Sequence, residues 1–334
     1  MLKKIITTSI FSILTLCCLA QQRHSLSQDN DFVVKHIYTK NDTITYIHSK
    51  PDLNSRKPLL IFLQGSLAKP LFCCEGNYCQ SILPFNYKKY LDRYNFAIIA
   101  RKGIPIEGSF TDAEGFKDKQ GKPPIEFMEH DNLEYRVFQL QNVTNNLKKE
   151  KWVDPSKIYI VGHSEGYEVL AKFGEKDKIA NKYVFMSGSP FNRTTEYILQ
   201  ERLKQYSSKN ISDNIEENIN KHLKFRDYYL EPENQQKSLV AKNWYSYNKE
   251  FAYKSLNKIK TKSLIINGTL DNNSIHNDML PLLVDTNIFD IKNLPGLDHN
   301  FFSKGKDELN NEIDIFGWDT VFEMVINWIE NNYI

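Results

Sequence analysis

The 334-residue sequence contains no Gly-x-Gly-x-x-Gly, no phosphate-binding Gly-Lys-Ser/Thr loop and no His-Glu-x-x-His. No motif therefore serves a dinucleotide, a nucleoside triphosphate or a catalytic zinc, and no cofactor is expected. Cysteine is scarce, with five in the chain. Neither a second cysteine pair nor a His-x-x-His lies near Cys73, Cys74 and Cys79 to complete a four-ligand metal site, so no metal is expected. Excess charge is lacking too. If the terminal segment carrying Lys3 and Lys4 is removed, 41 of the 43 basic residues remain against 41 acidic ones. Such a balance excludes an electrostatic case for nucleic acid or an anionic membrane surface. There is no internal repeat and no low-complexity block. After the first 20 residues no apolar run approaches membrane length.

What is present fits a globular protein of one large domain or two small ones, with 41% hydrophobic and 25% charged residues. Lys3 and Lys4 precede "IITTSIFSILTLCCLA", a short apolar run closing on the small Ala20. That is the construction of a secretory signal peptide over 1–20, with a mature chain from near Gln21. A retained anchor helix is the alternative, but "QQRHSLSQDND" supplies no stop-transfer pattern. Cys17 or Cys18 offers a further alternative, a lipidated terminus, against which stands the bulky Leu16. The expected location is outside the cytoplasm, whether periplasmic, secreted or lipid-anchored. There disulfides persist. Adjacent Cys73 and Cys74 rarely bond each other, so Cys79 is expected to pair with one of them, with a small preference for Cys74. All three reduced is the bland alternative.

Two antiparallel strands are expected around Asn41. "PLLIFLQGS" (58–66), "NFAIIAR" (95–101), 157–161, "KYVFMSGSP" (182–190), "KSLIINGTLD" (262–271) and "IFDIKNLPG" (288–296) read as further strands. Continuous apolar runs such as that of 58–66 indicate burial on both faces. Helical spacing is read over 86–94, 131–149, the stretch after Ser164 to about Phe173, 276–284 and the final "DTVFEMVINWIENN". Residues 102–131 read as a long loop. Strands alternating with helices predict an α/β fold, a mostly parallel sheet with helices on both faces. Residues 191–260 break the rhythm. They are expected to form a helical insertion leaving a strand's carboxyl end, a cap over the pocket.

The sharpest feature is "KIYIVGHSEGYEVLAKF" (157–173). An apolar strand ends on Gly162, offers Ser164, passes Gly166 and becomes a helix. The glycines let strand and helix approach, which strains Ser164 and exposes its hydroxyl. A plain turn is the alternative. A serine nucleophile needs a base. Of eight histidines, His163 neighbours the serine and points the wrong way for that role. His299 follows the last strand, at the end of the sheet that faces Ser164. Asp271 closes "LIINGTLD" and is the expected orienting carboxylate, with Asp278 and Asp298 as rivals. The amide of Glu165 and that of Ser66, after Gly65 in "LQGS", are the expected oxyanion donors.

In this order "LQGS", "GHSEG", "GTLD" and "GLDH" resemble the motifs of the α/β-hydrolase superfamily. The resemblance covers about 30–334. It is nearest to secreted bacterial hydrolases of the dienelactone-hydrolase and prolyl-oligopeptidase-like groups. Gln64 departs from the usual His and Tyr167 from a common second Gly. The resemblance implies one α/β-hydrolase domain over 21–334 and acyl transfer from an ester, thioester or amide to water. Its substrate would be a small-molecule or peptide acyl group. An esterase, a serine peptidase and a non-catalytic binding protein on the same scaffold are the readings that follow. Nothing bears on the oligomeric state.

Overall fold

The computed structural model describes residues 31–76, 78–207, 214–307 and 309–331. The expected signal peptide, with Cys17 and Cys18, falls outside the described residues. Eight strands form the main sheet: β1 (Phe32–Tyr38), β2 (Thr43–Ser49), β3 (Lys57–Leu63), β6 (Asn95–Ile99), β8 (Val153–His163), β9 (Lys182–Met186), β10 (Ser263–Gly268) and β11 (Phe289–Leu294). Between them lie β4 (Phe72–Glu75), β5 (Tyr78–Ser81) and β7 (Glu107–Gly108), a small separate sheet, and after them a hairpin, β12 (Phe302–Lys306) and β13 (Glu312–Phe316). The main order is β1-β2-β6-β3-β8-β9-β10-β11. β1 and β2, and β2 and β6, pair antiparallel; every later junction is parallel.

The apolar runs explain this arrangement. Side chains alternate across a strand, so a strand buried on both faces needs apolar residues at every position. In β3, Leu59, Ile61 and Leu63 join one core with Leu140, Val143 and Leu170. Leu60 and Phe62 join the other with Phe85, Phe322 and Trp328. The first face is covered by helices Leu133–Leu147 and Glu165–Gly174, and the second by helix Trp318–Asn331.

Several expectations are corrected. The tyrosines at 87, 90 and 94 repeat helically, but only a 3-10 turn forms, Tyr87–Tyr90. The expected loop 102–131 contains β7, a 3-10 turn (Phe110–Glu114) and helix Ile125–His130. The expected helix 276–284 is two single turns, Ser274–Asn277 and Leu280–Leu283. The β12–β13 hairpin was not legible. Its strands are exposed, so no buried apolar run announces them. The cysteine segment is the β4–β5 hairpin, and Cys74 stands opposite Cys79 in its register. Those two form a disulfide, while Cys73, on the strand's other face, is free.

Residues 191–260 leave β9 and return to β10. Their described part is helical: Arg193–Ser207, Asn214–Leu230, Pro232–Lys237, Leu239–Asn248 and Ala252–Leu256. Ser246 accepts from the Leu133 amide at 3.0 Å through its hydroxyl, and Asn243 donates to the Met128 carbonyl at 2.7 Å, so this segment docks on neighbouring helices. Among the described residues no helix is long and apolar enough to cross a membrane.

Candidate active site

Ser164 sits between β8 and helix Glu165–Gly174 with φ 56° and ψ −122°. That left-handed φ is costly for any residue with a side chain. It survives because the surroundings over-determine it. The Ser164 amide donates to the Met186 carbonyl at 2.9 Å, and the Tyr167 amide to the Ser164 carbonyl at 2.9 Å. A Cβ on Gly162 would lie 2.3 Å from the Gly166 oxygen, and one on Gly166 would lie 2.4 Å from the Leu63 oxygen. Only glycine fits at either position. Tyr167, where a small residue is common, is wholly buried, and its ring occupies the space a side chain at 188 would need: a Cβ on Gly188 would be 2.2 Å from Tyr167 Cγ. A glycine just past the end of β9 thus accommodates the larger residue.

Three residues from distant positions meet here. Ser164 Oγ lies 3.0 Å from His299 Nε2, and His299 Nδ1 lies 2.8 Å from Asp271 Oδ2. A carboxylate accepts, so Nδ1 carries the proton and Nε2 is left to accept from the serine hydroxyl. Asp271 is buried after β10 and also accepts from the Asn273 amide at 3.0 Å. Burial acts to lower the His299 pKa, but the hydrogen bond and charge of Asp271, with the charges of Glu196 and Asp298, outweigh it and raise it. The rivals have other partners: Asp298 accepts from the Asn300 and Phe302 amides, and Asp278 from Asn293.

The ring of His163 reaches the backbone of the turn that carries His299. Its Nε2 lies 3.0 Å from the His299 carbonyl oxygen, and the ring packs edge-on against Trp318. Burial, and then the charge of His299, press its pKa down to about 3. His163 is therefore neutral and donates, bracing the backbone that carries His299.

The loop after β3 comes close behind the serine. A Cβ on Gly65 would lie 3.3 Å from Ser164 Cβ. The Ser66 amide has no acceptor among the described residues. Glu165 opens its helix, in the turn whose amides lack intrahelical acceptors.

The side chain of Glu165 was not anticipated to matter. It is buried and takes three guanidinium groups. Oε1 accepts from Arg101 at 2.7 Å and from Arg136, and Oε2 from Arg193 at 2.6 Å. Burial would raise this carboxyl, but the charges of Arg101 and Arg193 outweigh it and hold it below its usual value. Arg193 also reaches Glu168 at 3.2 Å and stacks over Tyr247 at 3.7 Å. Burial pushes Glu168 up to about 8 against the pull of Arg193. These arginines sit after a strand, on a helix and in the insertion. Nothing local in the sequence links them to Glu165.

An open groove of about 1260 Å³ is lined at one part by Leu67 and Asn300, the chain neighbours of Ser66 and His299, though by none of Ser164, Asp271 or His299 themselves. Tyr78, Phe110, Phe302 and Phe316 line its further part, and the Cys74–Cys79 bridge lies in its wall.

The sheet order, the strained serine between strand and helix, and the chain order Ser, Asp, His define a class of protein. No protein-family model matches the chain, and no curated protein does. Solved structures do. The chain is similar to the 2,6-dihydroxy-pseudo-oxynicotine hydrolase, with TM-score 0.51 and 14% identity over 81% of this chain and 63% of that one. It is similar to Porphyromonas gingivalis dipeptidyl peptidase 4, with TM-score 0.54 and 14% identity over 91% of this chain and 36% of that one. It is also similar to Est1E from Butyrivibrio proteoclasticus, with TM-score 0.50 and 12% identity over 89% of this chain and 97% of that one. It thus spans less than two thirds of the first and about a third of the second. The likeness is one of fold, and this chain has the α/β-hydrolase fold.

Proposed function

We propose that the chain is an exported serine hydrolase that cleaves an ester or amide through an acyl-enzyme. The observation that carries this is the continuous hydrogen-bonded chain from Ser164 Oγ through His299 to buried Asp271. Ser164 Oγ attacks the acyl carbon while its proton passes to His299 Nε2. The new Oγ–C bond forms, and the negative charge on the carbonyl oxygen is held by the amides of Ser66 and Glu165. The bond to the leaving group then breaks as His299 returns the proton to it. Water repeats the sequence on the acyl-enzyme. Asp271 holds the tautomer and stabilises the imidazolium.

The insertion at 191–260 acts as a cap, a role supported by its contact with Glu165, the residue after the nucleophile. Esters are favoured over amides as substrates. The groove has room beyond a small acyl group. That favours a peptide as the second reading, and one fold neighbour is a peptidase by name.

A fluorophosphonate should label Ser164, and Ser164→Ala should abolish both labelling and turnover with the fold intact. Absence of labelling in the wild-type protein would leave the binding-protein reading standing. Rates on a panel of aryl esters and aminoacyl arylamides separate esterase from peptidase.

A further inference from the structure

Arg101 leaves the carboxyl end of β6, and its guanidinium is nearly sealed from solvent, with 2% of the side chain exposed. A guanidinium offers five N–H donors in a fixed plane, and burial demands partners for them. Nη1 donates to Glu165 Oε1 at 2.7 Å and to the Gly65 carbonyl at 3.1 Å. Nη2 donates to Asp131 and, at 3.4 Å, to the Ser66 carbonyl. Arg136 repeats the pattern: Nη1 goes to Glu165 Oε1 and Nη2 to the Gln64 carbonyl at 3.2 Å.

These contacts bear on two particular amides. The Gly65 carbonyl and the Ser66 N–H belong to one trans peptide unit, so they point in opposite directions. Drawing that carbonyl onto Arg101 turns the Ser66 N–H away from the arginine, and among the described residues it meets no acceptor. The same nitrogen, Nη1, holds the side chain of Glu165, whose own N–H opens the helix behind Ser164. One guanidinium therefore ties the loop after β3, by its carbonyls, to the residue after Ser164, by its side-chain carboxylate.

The geometry points to Arg101 as the positioning residue of the oxyanion hole, fixing the Ser66 and Glu165 amides relative to each other, with Arg136 as a second tie. The inference rests on the hydrolase reading above. Arg101 touches no substrate. It acts by keeping both donors aimed before the charge develops, which is where such stabilisation has its value.

The test has three arms. Arg101→Met should lower kcat on an aryl ester by about 10- to 100-fold with KM changed by less than about 3-fold, since the interaction concerns the transition state and not substrate docking. Affinity for an aryl boronic acid, a tetrahedral mimic, should fall by the same factor. The pH midpoint set by His299 should stay where it is. Arg101→Lys keeps the charge but not the planar fork, and should recover only part of the loss. Crystals of the wild-type phosphonate adduct form the third arm and do not depend on a variant folding. The phosphoryl oxygen should accept from both the Ser66 and Glu165 amides, with Arg101 still bonded to Gly65 and Glu165. A label on a residue other than Ser164 would refute the hydrolase reading itself. A label on Ser164 with the oxygen held elsewhere would overturn the role of Arg101 alone. Unchanged kcat in Arg101→Met, or a loss that appears in KM or in the pH midpoint, would overturn it as well.

Discussion

His163→Phe isolates one hydrogen bond at the centre of the site. Phenylalanine keeps a flat ring against Trp318, whose centroid lies 4.9 Å from that of His163. It removes only the donor that meets the His299 carbonyl at 3.0 Å. No other donor reaches that oxygen among the described residues. A buried acceptor left without its partner costs about 1–3 kcal/mol. The His299 side chain is 36% exposed, so water recovers part of this, and the stability change should fall at the low end. The catalytic effect is larger than the stability effect suggests. Displacement of a reacting group by about 1 Å costs up to about 10²-fold, so kcat should drop by about 10- to 100-fold. Glutamine places an amide nitrogen the same number of bonds from Cα as His Nε2, and His163→Gln should restore most of that. Stopped-flow acylation with a p-nitrophenyl ester reads the step directly. Burial holds His163 neutral, with a pKa near 3, so neither variant should alter the shape of the rate profile between about pH 5 and 9. Wild-type acylation in His163→Phe, or a glutamine variant as slow as the phenylalanine one, would refute the bracing role.

Asp271→Asn should lower kcat by about 10³- to 10⁴-fold. His299 must be neutral to take the serine proton, and its folded pKa is raised, so wild-type activity should rise with pH through a midpoint above about 6.5. Removing the carboxylate lowers that pKa, and the midpoint of the residual activity should move to lower pH; a midpoint that stays or rises contradicts the assignment. Reducing the Cys74–Cys79 bridge opens a six-membered loop of residues, 74 through 79, whose closure contributes about 2 kcal/mol. Turnover should fall before the melting temperature shifts by more than a few degrees, because the bridge lies in the groove wall. Full activity after complete reduction would separate the bridge from the site.

The sheet was legible because strands such as Leu59–Leu63 and Ile158–Val161 are apolar at every position, as burial on both faces requires. The serine turn was legible because only Gly162 and Gly166 permit its close approaches, and a pair of glycines around a serine survives as a pattern. Asp271 and His299 were expected from their places after successive strands, and the structure brings them to Ser164. The arginine cluster was not legible. Arg101 and Arg193 lie 64 and 28 residues from Glu165, and a lone arginine after a strand or in a polar segment looks solvated. The bond of His163 to a main-chain carbonyl leaves no trace in residue type. The hairpin after His299 escaped for the opposite reason to the sheet: exposed strands need no apolar run.

The Glu165 cluster has a consequence for how the sequence can drift. Its members come from the end of β6, from helix Leu133–Leu147, from the Ser164 turn and from the insertion. Change Glu165 alone and three arginines lose a shared anion; change one arginine and a buried carboxylate loses part of its compensation. Each single step is a loss even where the final set would serve as well. Four distant codons are thereby tied into one heritable unit. Among homologues, those positions should be exchanged together or kept together.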